Sequence, residues 1–145
     1  MESNFLFLEN EYPVLSRLGY LAEAYLYTDP NSCLVKLGML AENIVGIMMK
    51  LDGLTVPPEL DDTNANRIRT LKKNNLLPVE IDNILYSIRK TRNVAAHENY
   101  ESAERCKVLL QMAWQLSLWF MQTYGRISFK AHNFVMPVEE PTAAD

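Results

Sequence analysis

Apolar positions recur at three- and four-residue spacing along most of the chain, which is the period of an amphipathic α-helix. This pattern predicts helices over about residues 13–27, 30–52, 63–74, 78–96 and 101–124. No segment alternates like a β-strand. The sequence therefore predicts an all-α fold, a helical bundle of four long helices and one short helix.

Turn residues separate the predicted helices. Pro13 is placed like a first-turn proline, and Asp29 followed by Pro30 is typical of a cap and first turn. Gly53 marks the end of the second helix, and the proline-containing stretch 54–62 is predicted as a surface loop. The fifth helix is apolar nearly all round, so we expect it at the centre of the bundle or in a subunit interface.

The fourth predicted helix carries the candidate chemistry. Its buried stripe consists of Ile81, Ile84, Leu85, Ile88 and Ala95. Arg89, Arg92 and Asn93 share a flank that points away from this stripe. His97 follows Asn93 by four residues, so the amide could orient the imidazole and fix its tautomer. Arg92 and His97 lie about 140° apart on an ideal helix and converge only if the helix loosens there.

The composition of 145 residues, 48% hydrophobic and 22% charged, fits one globular domain. We place the helical domain at residues 1–126 and interpret residues 127–145 as a linker to further domains.

The N-terminus lacks a basic region, and charged residues interrupt the apolar run from Leu34 to Leu51. We therefore expect no signal peptide and no membrane span. Two cysteines in apolar surroundings favour buried thiols and a cytoplasmic protein.

The formal net charge of −4 is unevenly distributed along the chain. Residues 1–66 carry −7, residues 67–107 carry +4 and residues 108–145 carry −1. The basic residues of the middle segment include Arg67, Arg69, Lys72, Lys73, Arg89, Lys90 and Arg92. This segment could attract a phosphate backbone, and the alternative is that its charges are ordinary solvated helix faces.

Several kinds of chemistry lack support in the sequence. The five glycines are scattered and form no phosphate-binding loop. His97 and His132 are far apart and have no acidic or cysteine partner at ligand spacing, so we expect no metal site in this domain. The serines stand in no strand–turn–helix context of the kind that a serine hydrolase needs.

The residues Arg92 to His97 nevertheless resemble the Arg-x-x-x-x-His signature of the HEPN superfamily of helical bundles. The segments Asn4 to Leu8, Ala22 to Pro30 and Leu37 to Glu42 are similar to the helical domain that begins the R subunits of many type I restriction enzymes. The resemblance spans about residues 4–137. The chain departs from this branch at Arg92, because members commonly have glycine before the asparagine, and the arginine brings it nearer to the catalytic HEPN pattern.

The resemblance implies a larger enzyme. In such R subunits the helical domain precedes a nuclease and an ATP-driven DNA translocase on one polypeptide, so DNA cleavage, ATP and Mg would belong to the remainder. The domain itself would then need no cofactor. The implied partners are DNA, through the parent enzyme, and the methylase and specificity subunits.

Three hypotheses follow for the domain itself. In the first, Arg89, Lys90 and Arg92 contact phosphates or an acidic partner surface. In the second, the domain is a metal-independent ribonuclease in which His97 moves a proton, Arg92 stabilises phosphorane charge and Asn93 orients the histidine; a homodimer would complete the site. In the third, the domain is structural or serves dimerisation, and Arg92 pairs with Glu98 or Glu101 at a helix end.

Overall fold

The computed structural model describes residues 2–98 and 102–140, and of residues 95–98 it describes the backbone alone. A short 3₁₀ turn at Leu6–Leu8 precedes five α-helices: α1 at Pro13–Tyr25, α2 at Pro30–Leu51, α3 at Asn64–Lys73, α4 at Val79–Glu98 and α5 at Ala103–Tyr124. The described residues contain no β-strand. The predicted all-α fold of four long helices and one short helix is confirmed.

Side-chain caps begin three of the helices where the sequence places polar residues. Asp29 accepts hydrogen bonds from the amide of Ser32 at 3.2 Å and from its hydroxyl at 2.5 Å. Thr63 and Ser102 cap α3 and α5 by accepting backbone N–H bonds in the same way. Gly53, at φ 65°, follows α2 in the left-handed conformation that glycine adopts without strain.

The C-terminal ends of α1 and α4 each differ from the prediction by two residues. α1 ends at Tyr25, two residues before the predicted Tyr27. α4 ends at Glu98, two residues beyond the predicted Ala96. The backbone of His97 therefore lies in the last turn of α4, because helical hydrogen bonding persists past the motif instead of giving way to a turn at Glu98.

α2 occupies the centre of the bundle, where it packs against each of the other four α-helices. Its buried residues include Cys33, Leu34, Leu37, Leu40, Ile44, Val45 and Met48. The expectation that α5 lies at the centre is wrong, since α5 buries one face only and Val108 is 48% exposed. Outside that face, Trp114 of α5 packs on Phe134 of the irregular segment that follows the helix, with 5.7 Å between the ring centroids. A subunit interface on α5 stays a prediction.

α2 is also long and apolar enough to cross a membrane by length and composition, with a mean hydropathy of 1.5 in its most apolar window. Of that window, 56% is buried inside the bundle. The core helix of a helical bundle passes the same test, because burial against other helices and burial in lipid select similar residues. The expectation of no membrane span stays a prediction.

The two cysteines are both buried, as expected, and neither forms a disulfide. The Cys106 thiol donates a hydrogen bond of 3.5 Å to the carbonyl of Pro30. The thiol contact with Cys106, together with burial, raises the pKa of Cys33. Cys33 is therefore held as a neutral thiol in the contact between α2 and α5.

The segment after α5 does not leave the domain as a linker would. Phe129 packs on Phe7, with ring centroids 5.6 Å apart. The amide of Asn4 donates to the carbonyl of Val135 at 2.8 Å and its oxygen accepts the Val135 N–H at 2.8 Å. The Tyr27 hydroxyl also donates a hydrogen bond to the carbonyl of Pro137. Residues up to Pro137 thus lie against the bundle, so packing does not stop at the predicted boundary of residue 126. A linker in residues 141–145 lies outside the described residues.

Asn4→Ala should lower the free energy of unfolding by about 1–3 kcal/mol, because it leaves the Val135 peptide groups and the Glu23 carboxylate without this partner. Urea unfolding followed by tryptophan fluorescence measures the loss. Asn10→Ala, at an exposed position of the same segment, is the matched control and should change little. Equal effects of the two substitutions would contradict the anchoring role of Asn4.

Candidate functional site

Arg92, the first candidate catalytic residue, is used in the contact between α4 and α2. Its side chain crosses the backbone of α2 at Gly38, and its Nη1 donates to the carboxylate of Glu42 in an ion pair. A Cβ built on Gly38 would lie 2.2 Å from Cδ of Arg92, so a residue larger than glycine would force the Arg92 side chain to move. We call Gly38, Glu42 and Arg92 the arginine clasp.

The space beside the arginine clasp is too small for a substrate. The cleft between α2 and α4 holds about 10 Å³, which is close to the room needed for one water molecule. Oδ1 of Asn64 also lines this cleft and is buried, with no hydrogen-bond partner among the described residues. A phosphate group does not fit on this side of Arg92, because its guanidinium already contacts Glu42 there.

The structure says less about the surroundings of Asn93 and His97, the other two polar residues of the motif. Asn93 is exposed on α4. The side chain of His97 lies outside the described residues, and so do those of Glu98 and Glu101, the partners expected for Arg92. The convergence of Arg92 and His97 therefore stays a prediction, and the partner that the structure describes for Arg92 is Glu42.

The three predicted phosphate-binding cations do not all share one site, because Lys90 lies apart from Arg92 on the surface of α4. At about 100° per residue, Arg89 lies about 60° around α4 from Arg92, Tyr86 about 120° and Lys90 about 160°. Arg92 faces α2, and Arg89 lines both the cleft beside Arg92 and a groove between α3 and α4. Lys90 is exposed, with its Nζ 5.9 Å from the centroid of the Tyr86 ring. Arg89 and Arg92 thus border one cleft, as the predicted shared flank implies, whereas Lys90 lies on another part of the α4 surface.

The groove between α3 and α4 has a volume of about 350 Å³, within the range of about 300–1,000 Å³ typical of ligand sites. We call it the α3–α4 groove. Its lining residues are Ala65, Ile68, Arg69, Lys72, Asp82, Asn83, Tyr86 and Arg89. Lys72 pairs with Asp82 at 3.0 Å, so one acidic and one basic charge offset each other. Arg69 and Arg89 leave the lining positively charged.

A second groove lies on the other side of α3 and has a volume of about 440 Å³. Arg69 and Lys72 border both grooves, and Lys73 lines the second. Pro57 and Leu60 form its apolar wall, and Leu60 is 49% exposed. α3 is therefore a basic ridge between two grooves, each with an apolar or aromatic side.

The basic residues around α3 differ in how far their charge is already offset. Arg67 donates two hydrogen bonds to Asp62, at 2.6 and 3.0 Å, and this contact holds the pKa of Asp62 below its usual range. Within residues 2–94 and 102–140, no carboxylate pairs with Arg69, Lys73, Arg89 or Lys90. These four cations are the ones available to a ligand.

Sequence reasoning missed two features of this surface. Tyr86 was not singled out, although it is 54% exposed at the groove and precedes Arg89 and Lys90 by three and four residues, the spacing of one helix face. Glu42 was not recognised as the partner of Arg92, because the two are fifty residues apart. No group of three or more His, Cys, Asp or Glu side chains in the described part of the chain could hold a metal ion.

Comparisons with known proteins add the family context. Residues 21–131 match a family described as "Domain of unknown function (DUF4145)". The chain is 26% identical, over 137 residues, to the "Type I restriction enzyme EcoKI endonuclease subunit" of Escherichia coli (strain K12). The match covers 94% of this chain and 11% of that protein, so the chain spans about a ninth of the relative's length. No solved structure gives a significant match.

Gly38→Ala should lower the free energy of unfolding by up to about 1 kcal/mol, because the new methyl group displaces Arg92 from its partly exposed ion pair with Glu42. In an Arg92→Ala background the same substitution should be neutral or stabilising by up to about 1 kcal/mol, since alanine favours a helix over glycine. Urea unfolding of the four proteins in this double-mutant cycle measures the difference.

Gly46→Ala on the same helix is the control for Gly38→Ala. The nearest atom to its Cβ, Nη1 of Arg67, is 3.6 Å away, so we expect stabilisation of about 0.5–1 kcal/mol. The arginine clasp would be refuted by a Gly38→Ala penalty of the same size with and without the Arg92 side chain.

Proposed function

The chain belongs to the DUF4145 family, and from this membership and the α3–α4 groove we propose that it is a helical module of a DNA restriction enzyme and that it contacts nucleic acid. The restriction-related role is supported by the similarity to a type I restriction endonuclease subunit over 94% of the chain. The groove, with its cations and exposed aromatic ring, is the observation that carries the nucleic-acid contact.

The finer assignment is that of an HEPN-like domain at the start of an R subunit. The HEPN-like character has the support of the helical fold and of the motif on α4, whose backbone is helical through His97. In this proposal the parent polypeptide supplies nuclease and ATP-driven translocase activities with Mg, and it assembles with methylase and specificity subunits in the cytoplasm. The module itself contributes affinity for the nucleic acid.

The residues proposed to contact phosphates are Arg69, Lys73, Arg89 and Lys90. Arg89 and Lys90 come from the sequence hypothesis, whereas Arg69 and Lys73 are added because they lie on the adjacent helix and border the two grooves. Arg92 takes the role of a positioning residue, since it pairs with Glu42 and fixes α4 against α2. When a cationic side chain binds a phosphate, the counterion condensed on the nucleic acid there is released, which makes such binding depend on salt.

Ribonuclease activity of Arg92 and His97 remains an alternative. Incubation of the pure chain with labelled RNA in EDTA tests it. Cleavage by the parent chain that is lost in His97→Ala would support catalysis. Arg92→Ala is a less selective variant, because it also removes the arginine clasp. A protein that leaves the RNA intact would exclude this alternative.

The affinity for duplex DNA should fall as salt rises, with a slope of about 0.9 in log–log units for each phosphate contacted. Arg89→Gln combined with Lys90→Gln should weaken binding and reduce the slope by about 1–2 units. Fluorescence anisotropy across a salt series measures both quantities.

The control for this pair is Arg17→Gln combined with Lys130→Gln, two exposed cations elsewhere on the bundle. It changes the net charge equally but should leave the slope unaltered. The same loss of slope in both double variants would show that only total charge matters and would contradict a localised nucleic-acid surface.

A further inference from the structure

Tyr86 gives the α3–α4 groove a feature that phosphate binding does not require. Tyr86 is 54% exposed, and Nζ of Lys90 lies 5.9 Å from the centroid of its ring. Arg89 lines the same groove one helical turn further along α4. An exposed aromatic ring with one cation beside it and another in the same groove offers a stacking face and charged contacts to one ligand.

We infer that the α3–α4 groove binds single-stranded DNA by stacking an unpaired base on Tyr86 while the surrounding cations hold the adjacent phosphates. This inference deepens the proposed function and rests on it. Bases within a duplex are already stacked on their neighbours, so an exposed ring in a groove contributes affinity only when a base is free to leave the stack. The groove of about 350 Å³ provides the recess for that base.

The arrangement of cations on α3 supports a strand that runs across the helix. Arg69 and Lys72 border the grooves on both sides of α3, and Lys73 extends the positive charge along its C-terminal end. Asp82, the acidic group in the α3–α4 groove, is paired with Lys72 and so repels a phosphate less than a free carboxylate would. A strand that crosses this ridge meets phosphate-binding cations between two recesses.

The second recess has an apolar wall suited to the face of a neighbouring base. Leu60 is 49% exposed there, next to Pro57. Apolar side chains can support a base without hydrogen bonding to its edge, which gives affinity with little sequence preference. The bound segment would be short, because α3 has only 10 residues.

Fluorescence anisotropy with a labelled oligothymidylate of about twelve nucleotides tests this inference on the full chain. Tyr86→Ala should weaken binding by about five- to a hundredfold, the range of one lost stacking contact. Tyr86→Phe should bind within about twofold of the parent, because phenylalanine keeps the stacking face. Tyr20→Ala is the matched control, since Tyr20 on α1 is also 54% exposed.

The same variants are measured with a duplex of equal length. Tyr86→Ala should leave duplex binding nearly unchanged, whereas Arg89→Gln combined with Lys90→Gln should weaken both ligands. If Tyr86→Ala leaves oligothymidylate binding unchanged or affects both ligands equally, the stacking inference fails while the proposed function survives through the cation variants.

Failure of the parent chain to bind either ligand at low salt would overturn both the stacking inference and the proposed nucleic-acid contact. Tighter binding of oligouridylate than of oligothymidylate would redirect the site to RNA and overturn the assignment to DNA.

Discussion

Burial of α2 among the other helices is the constraint on which the rest of the structure depends. α1, α3, α4 and α5 all pack on this helix, and its apolar residues form the middle of the core. A helix in this position cannot place polar groups freely, because an unpaired charge in such surroundings is costly. Glu42 accordingly lies outside the core of the bundle, with its side chain 42% exposed, and pairs there with Arg92.

The arginine clasp links this constraint to the surface of α4. Gly38 lets the Arg92 side chain lie against the backbone of α2, and the partly exposed ion pair with Glu42 adds to the burial of Ile81, Ile84, Leu85 and Ile88, which turns this face of α4 to the core. With that face buried, Arg89 borders both α2 and α3, and Tyr86 and Lys90 are left at the solvent. Arg92 therefore contributes to the contact between helices, and Tyr86, Arg89 and Lys90, two to six residues earlier in α4, form the surface that can meet a ligand.

The charge distribution gives this surface its chemical character. The chain is acidic overall, yet the segment that forms α3 and α4 has an excess of basic residues. Asp62 and Asp82 offset the charges of Arg67 and Lys72. The cations Arg69, Lys73 and Arg89 line the grooves beside α3. A local positive surface on an acidic protein favours a ligand that is itself strongly charged, since weaker electrostatic attractions are screened within about 10 Å at ordinary salt.

The sequence by itself determined the helices and their caps, because these depend on neighbours three or four residues away. The period of the apolar residues, Asp29 before Pro30 and Gly53 after α2 were enough to predict five helices in nearly their observed positions. It also located the basic segment. The tertiary structure alone decided which helix is central, that residues up to Pro137 pack back on the bundle, and that Arg92 pairs with Glu42. These contacts join residues far apart in the chain, where the hydrophobic pattern specifies that a face is buried but not which partner covers it.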